Sequence, residues 1–321
     1  MHGILTIFRK ELADQFSSTR FLLISALIVM VGVIIASMVA MGIQEETRGL
    51  AKPKLIFLLL FTSTGKLFSF VQFIGFFGPL VGIILGFDSI NRERVSRTLS
   101  KLVAQPIYRD SIINAKFLTG VVTISIVLVA IVLIISGLGI RLVGVVPGWE
   151  EVWRLAIYLI ASILYISFWL GISILFSVVF RSTATSALAS LALWIFFSFF
   201  VSLGAGVLSD AVAPISQSSS GIDPEALLKH ERVQSTISLF SPMTLYSEAT
   251  STILDPMRKT TRSLILMGPL ERLSLTRFQS PLPLLQSITI VTPHLVSLVA
   301  ITFLCFGICY LVFMRQEIRT V

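Results

Sequence analysis

Six separate apolar runs, each at least about 18 residues long, dominate this chain: Phe21–Ile43, Leu67–Phe87, Phe117–Ile140, Leu155–Phe180, Thr183–Leu208 and Thr289–Met314. Hydrocarbon offers no water to satisfy backbone N–H and C=O groups, so segments of this length and polarity cross a bilayer as helices that satisfy their own. Only 13% of the residues are charged, against about 25% for soluble domains, which leaves too little charge to solvate a compact globule of this size. The expected fold is an all-α polytopic membrane protein with six transmembrane helices, folded as one transmembrane domain over residues 1–321.

An even number of spans puts both termini on one face. The short flanks on that face carry twelve Lys and Arg, from Arg9 to Arg319, whereas those on the opposite face carry six, from Arg48 to Arg154. Cytoplasmic flanks hold the excess of basic residues, which makes both termini cytoplasmic. The net charge of +8 is thereby used in setting topology, and nucleic acid is not an expected partner. The stretch Met1–Arg20 contains acidic residues and no small-residue cleavage site, so the first run is expected to act as both signal and anchor.

Three segments outside the runs have a pattern of their own. In residues 1–20, Leu5, Phe8, Leu12 and Phe16 share one helical face, with Arg9, Lys10, Glu11 and Asp14 on the other, the pattern of an amphipathic helix lying in the membrane interface. Leu55–Phe61 is apolar but as a helix would cover only about 10 Å, so it reads as an interfacial lead into the second span. Residues 209–288 form the one long extracytoplasmic segment; its Glu225–Leu254 portion has helical periodicity broken at Ser241 and Pro242, and it is too interrupted for a separate enzyme domain.

Residues 86–116, reading GFDSINRERVSRTLSKLVAQPIYRDSIINAK between spans two and three, are far more charged than their surroundings. Val95, Leu99 and Leu102 recur at helical spacing, which predicts a short amphipathic helix stopped near Gln105 and Pro106, with a second helix starting after Tyr108. This loop resembles the permease subunits of ABC-2 type exporters, in the branch similar to the nitrous-oxide-reductase maturation permease. Gly86, Phe87, Asp88, Ser89 and Ile90 match the opening of the pattern, Glu93 and Arg94 its charged pair, Thr98 and Leu99 the next pair, Gln105, Pro106, Ile107 and Arg109 the turn, and Lys116 the Lys leading into the third span. Val95 and Arg97 stand where that branch usually has Glu and Gly.

The resemblance implies a multi-pass permease of a prokaryotic plasma membrane that has no ATPase of its own, works as a dimer of permease subunits, here expected to be a homodimer, and binds a separate ATPase subunit through a cytoplasmic coupling helix within residues 88–116. On that reading Asp88, Arg92, Glu93, Arg94, Arg97 and Lys101 serve ATPase contact and positioning of the helix. The chain is then expected to bind no cofactor, with ATP and magnesium held by the partner. Independently of the resemblance, the sequence contains no Gly-x-x-x-x-Gly-Lys-Ser/Thr; Gly65-Lys66 is followed by Leu67.

Other chemistries fit less well. An intramembrane protease would have to pair Ser173 with His294, yet Ser173 is eight residues from Arg181, about 12 Å deep, and His294 is 21 residues from Arg315, about 31 Å from the same face. His2, His230 and His294 are scattered, and Cys305 and Cys309 lie four apart on one helix face without further ligands. An ion-coupled transporter or channel would place ionisable residues inside the spans, which hold essentially none away from their ends. Phe-rich stretches of spans two and five, with Phe73, Phe77, Phe197 and Phe200, suggest an aromatic path at a dimer interface for a hydrophobic or amphiphilic substrate.

Overall fold

The structure, a computed structural model, describes residues 2–46, 55–62, 69–96, 108–214, 217–218, 221–222, 224–255 and 282–316. Helix α1 is His2–Phe16 and α2, the first span, Thr19–Glu46; α3 (Phe70–Gly86) is span two and α4 (Asn91–Val95) a short foot beneath it. Span three is α5 (Arg109–Val143), span four α6 (Trp149–Val179), span five α7 (Thr183–Ile195) continuing through a π-helical turn at Phe196–Phe200 into α8 (Val201–Val212), and span six α11 (Leu284–Arg315). Between spans five and six lie α9 (Pro224–Ser238) and α10 (Pro242–Leu254), preceded by a two-residue antiparallel pair, β1 (Gln217–Ser218) and β2 (Gly221–Ile222). Among the described residues six helices are long and apolar enough to cross a membrane, at the six expected places. The protein is an all-helical, multi-pass membrane protein.

Span four is the hub, packed on by spans two, three, five and six and by α10. Two places where its neighbours depart from ideal helix show how backbone groups are satisfied in the apolar interior. Pro79 lacks the N–H that would bond the Gly75 carbonyl four residues earlier. The Tyr165 hydroxyl of span four takes that place, donating to Gly75 O at 2.8 Å. In the π turn of span five the Val201 N–H reaches Phe196 O, one residue beyond its α-helical acceptor, which spares the Phe197 carbonyl. Ser241 Oγ donates to it at 2.9 Å.

That second bond sets the depth at which α9 gives way to α10. Phe197 is fourteen residues into span five, about 21 Å from its start. Helix α9 packs along α8, with His230 bonded to Ser209 Oγ and the Ala213 carbonyl, and α10 climbs back from Ser241 against spans two, four and six. Tyr246 of α10 is fully buried, stacked on Tyr165 at 4.5 Å and bonded to Ser162 at 3.1 Å. The pair α9–α10 is thus a helical hairpin packed on the bundle, α9 along the end of span five and α10 against spans two, four and six. Tyr165→Phe is expected to leave the Gly75 carbonyl buried without a donor and lower stability by about 1–3 kcal/mol; the shift of the unfolding midpoint in detergent measures it, and an unchanged midpoint would contradict the account of Pro79.

Leu55–Phe61 also differs from expectation. Ile56–Leu60 is a single 3-10 turn whose Phe57, Leu58 and Leu60 are buried in protein. Leu60 presses on Gly139 of span three, and the Phe57 N–H donates to Glu151 Oε1 at 3.1 Å. A bundle wall and a buried carboxylate acceptor supply what a headgroup layer was expected to supply.

Candidate functional site

The face that carries both chain ends, here the terminal face, gathers Asp88, Arg92, Glu93 and Arg94 of the loop. Span two reaches it along span four by direct backbone approach. A Cβ at Gly82 would lie 2.6 Å from the Ile166 carbonyl oxygen, and one at Gly86 would lie 2.9 Å from Ser173 Cβ, so only glycine permits this spacing. Ser173 donates to the Ile83 carbonyl at 2.9 Å, while His294 pairs with Glu248 Oε2 of α10 at 3.1 Å. The two residues weighed as a protease pair belong to separate contacts.

Beyond Gly86 the chain turns through Phe87–Ile90 into α4. The buried Ser177 hydroxyl of span four accepts from both Ile90 N (3.0 Å) and Asn91 N (3.2 Å), satisfying amides at the start of the short helix. On the next turn Glu93 points inward. Its Oε1 lies 2.9 Å from Lys116 Nζ, and Glu11 Oε2 of α1 lies 3.1 Å from the same nitrogen. The Lys116 side chain is 5% exposed, so one buried ammonium joins α1, α4 and span three.

Arg94 caps span four. Its guanidinium donates to Val178 O at 2.9 Å and Phe180 O at 3.2 Å, and to Gln316 Oε1 after span six. The last carbonyls of a helix have no intrahelical donor, and a cation there also meets the negative end of the helix dipole. Gln316 Nε2 returns a bond to Val178 O at 3.1 Å, and Arg109 Nη1 donates to Gln316 O at 3.3 Å. Asp88 Oδ2 meets Arg20 Nη1 of span one at 3.0 Å.

Four of the six residues expected to serve ATPase contact and positioning therefore stand together, but with different surroundings. Glu93 and Arg94 are turned into the bundle, Asp88 is engaged by Arg20, and Arg92 and Val95 are exposed. Arg97 and Lys101 lie outside the described residues, as does most of the expected coupling helix. The family model of ABC-2 family transporter proteins matches residues 5–318, nearly the whole chain.

The chain belongs to the ABC-2 transporter family. No curated protein matches it. As an ABC-2 permease it is the membrane component of an ABC transporter, and membership implies partnership with an ABC ATPase subunit. The residues that tie the terminal face of this permease together include Arg20, Ser177 and Gln316, which the sequence did not single out, and Glu11, which it placed on the polar face of α1 away from the bundle. One signal was present, because Glu11 continues the stripe Ile4, Ile7, Phe8 at helical spacing. That stripe, rather than Leu5 and Phe16, which are 49% and 37% exposed, is the face α1 turns to the bundle.

The four aromatic residues of the expected path are not on one surface. Phe73 and Phe77 line a groove toward spans one and three, whereas Phe197 packs on Trp169 and Phe200 is exposed beside Phe196. A cluster of Phe76, Trp194 and Phe199 lies between the pairs. Among the described residues no group of three or more His, Cys, Asp or Glu side chains could hold a metal ion. Cys305 and Cys309 are free and buried, with Cys305 close to Gly171 where span six meets span four.

Proposed function

We propose that this chain is the permease half of an ATP-driven exporter in a prokaryotic plasma membrane, with the terminal face cytoplasmic and α1 lying at its membrane interface. A separate ATPase, carrying ATP and magnesium, docks on the exposed edge of α4 and on residues 97–107. Arg92, Arg97 and Lys101 meet the partner, while Asp88, Glu93 and Arg94 hold the foot to the bundle. The observation that carries this is the wiring of α4: Ser177, Lys116 and the carbonyls capped by Arg94 tie a five-residue helix to spans three and four and to α1. Work done on α4 is then shared by the whole terminal face, a two-state element that the ATPase and the substrate both bias.

Two copies of the permease pair through span five, whose Phe196, Phe200, Leu203 and Val207 form an exposed apolar face. A hydrophobic or amphiphilic substrate follows the aromatic surfaces of spans two and five, on either side of the Phe76 cluster.

The double variant Arg92→Glu/Val95→Asp is expected to lose co-purification of the ATPase at least tenfold while the permease still inserts. Undiminished co-purification would overturn the docking site. In the wild-type preparation, native mass spectrometry should find two permease chains per assembly, and an epitope at the C-terminus should be reached only from the cytoplasmic side; one chain, or an epitope reached from outside, removes the corresponding part of the reading.

A further inference from the structure

The foot α4 is held to the bundle by spans three and four. Ser177 Oγ accepts from the Ile90 and Asn91 amides, Lys116 meets Glu93, and the end of span four accepts from Arg94. The side chain among these ties is treated differently. Asn91 is 0% exposed, and neither its Oδ1 nor its Nδ2 has a hydrogen-bond partner. Ser89 Oγ, two residues earlier in the turn Phe87–Ile90, is also buried without one. Buried polar side chains are normally hydrogen-bonded. An amide bonded at neither end forfeits its solvation in this position, whereas an apolar side chain of similar shape would forfeit nothing.

Charge acts against the same position. Arg94 is half-buried, and its guanidinium donates to the Val178 and Phe180 carbonyls and to Gln316 Oε1, none of which carries a charge. The like charge of Arg181, one residue past Phe180, acts on it. Hydrogen bonds and the Lys116 pair thus draw α4 onto the bundle, while an unsolvated amide, an unsolvated hydroxyl and a repulsion between two arginines favour its departure. These opposing groups all act on a helix of five residues joined to span two by one turn.

We propose that α4 is a two-position switch set by Asn91: a seated position, described above, and a released one in which the turn Phe87–Ile90 swings outward, Asn91 and Ser89 meet water and Arg94 parts from Arg181. The seated position is held by Ser177 and Lys116 against the unsolvated side chains, so the two positions lie close in free energy and a modest force on the foot selects between them. The inference deepens the docking reading and rests on it only for what supplies that force. The two positions belong to the permease alone.

The test is amide hydrogen exchange on the full chain in detergent, with no ATPase present. The Arg92, Arg94 and Ser96 amides, bonded to the Asp88, Ile90 and Arg92 carbonyls, report release of the foot. Asn91→Leu, the nearest apolar shape to asparagine, should slow their exchange about tenfold, the effect of removing one unsatisfied buried group. Ser177→Ala removes the acceptor of the Ile90 and Asn91 amides and should speed it by a similar factor. Unchanged or faster exchange in Asn91→Leu would overturn the proposal, since the amide would then be satisfied where it sits. Equal slowing in α10 would overturn it too, because the whole bundle rather than the foot would have been stabilised. Ser89→Ala, expected to slow exchange about threefold, decides the matter if Asn91→Leu does not fold. Failure of an ATPase to bind the wild-type permease would remove the docking reading and leave these exchange results as they stand.

Discussion

Lys116→Met should be the most damaging single replacement on the terminal face, lowering stability by about 3–5 kcal/mol, the range for removing one partner of a buried ion pair. Methionine keeps the length and apolar stem of the side chain, so packing is nearly conserved and the loss is electrostatic. With the ammonium gone, Glu93 and Glu11, 2.9 and 3.1 Å from it in the wild type, face each other in a space where only 5% of the Lys116 side chain reaches solvent. Total stabilities of about 5–15 kcal/mol make this a large share. The triple variant Glu11→Gln/Glu93→Gln/Lys116→Met removes every charge at once and is expected to recover most of the loss, because no uncompensated ion remains. Arg20→Gln breaks the Asp88 pair but is expected to cost no more than about 1 kcal/mol, since Arg20 is 69% exposed and solvent screens it. Unfolding midpoints of the four proteins measure the contrast; equal losses for Lys116→Met and Arg20→Gln would show that burial does not control these pairs.

The same residue explains why the start of span three was only partly legible. The apolar run begins at Phe117 because Lys116 stops it, yet the helix begins at Arg109. A charge ends a run in the sequence, but it does not end a helix when carboxylates from two other elements reach it. Hydropathy sees the residue and not its partners. Spans, their number and the break at Ser241 and Pro242 were legible for the converse reason, since chain length, apolar content and proline chemistry act locally. The depth of α9–α10 was not, because it follows from a carbonyl that the π turn in FFSFF releases, and nothing in five consecutive aromatic and serine residues distinguishes a π turn from an ordinary helical one.

The candidate site followed the same division. The loop pattern located Asp88, Arg92, Glu93 and Arg94 as one group, and the structure gathers them on one turn and a short helix. Which of them face a partner depends on Ser177, Lys116 and the end of span four. Ser177 is 87 and 86 residues from the two amides it accepts from, a separation that carries no trace in local periodicity. A charged residue in such a loop is as able to brace its own protein as to meet another.

Arg154 makes the strongest case for bracing on the opposite face, where the sequence counts it as one more flanking charge. It is 0% exposed. Its guanidinium donates to Glu150 Oε1 at 2.8 and 3.1 Å, Ile253 O at 2.8 Å, Ser287 Oγ at 3.2 Å and Leu282 O at 2.6 Å. Span four, the end of α10 and the start of span six thus converge on one planar group, and without it the buried Ile253 carbonyl and the part-buried Leu282 carbonyl would lose their donor. Arg154→Met is expected to loosen α10 by about 3 kcal/mol, the cost of two orphaned carbonyls after partial relaxation. That corresponds to roughly a hundredfold faster amide exchange across Pro242–Leu254 if the helix opens locally. Arg154→Lys should recover only part of the protection, because an ammonium lacks the fork that spans these acceptors. Exchange in the two variants separates the explanations: if lysine restores full protection, charge alone holds the hairpin, and if methionine leaves exchange unchanged, α10 is held by Tyr246 and its apolar contacts, with Arg154 contributing nothing to its closure.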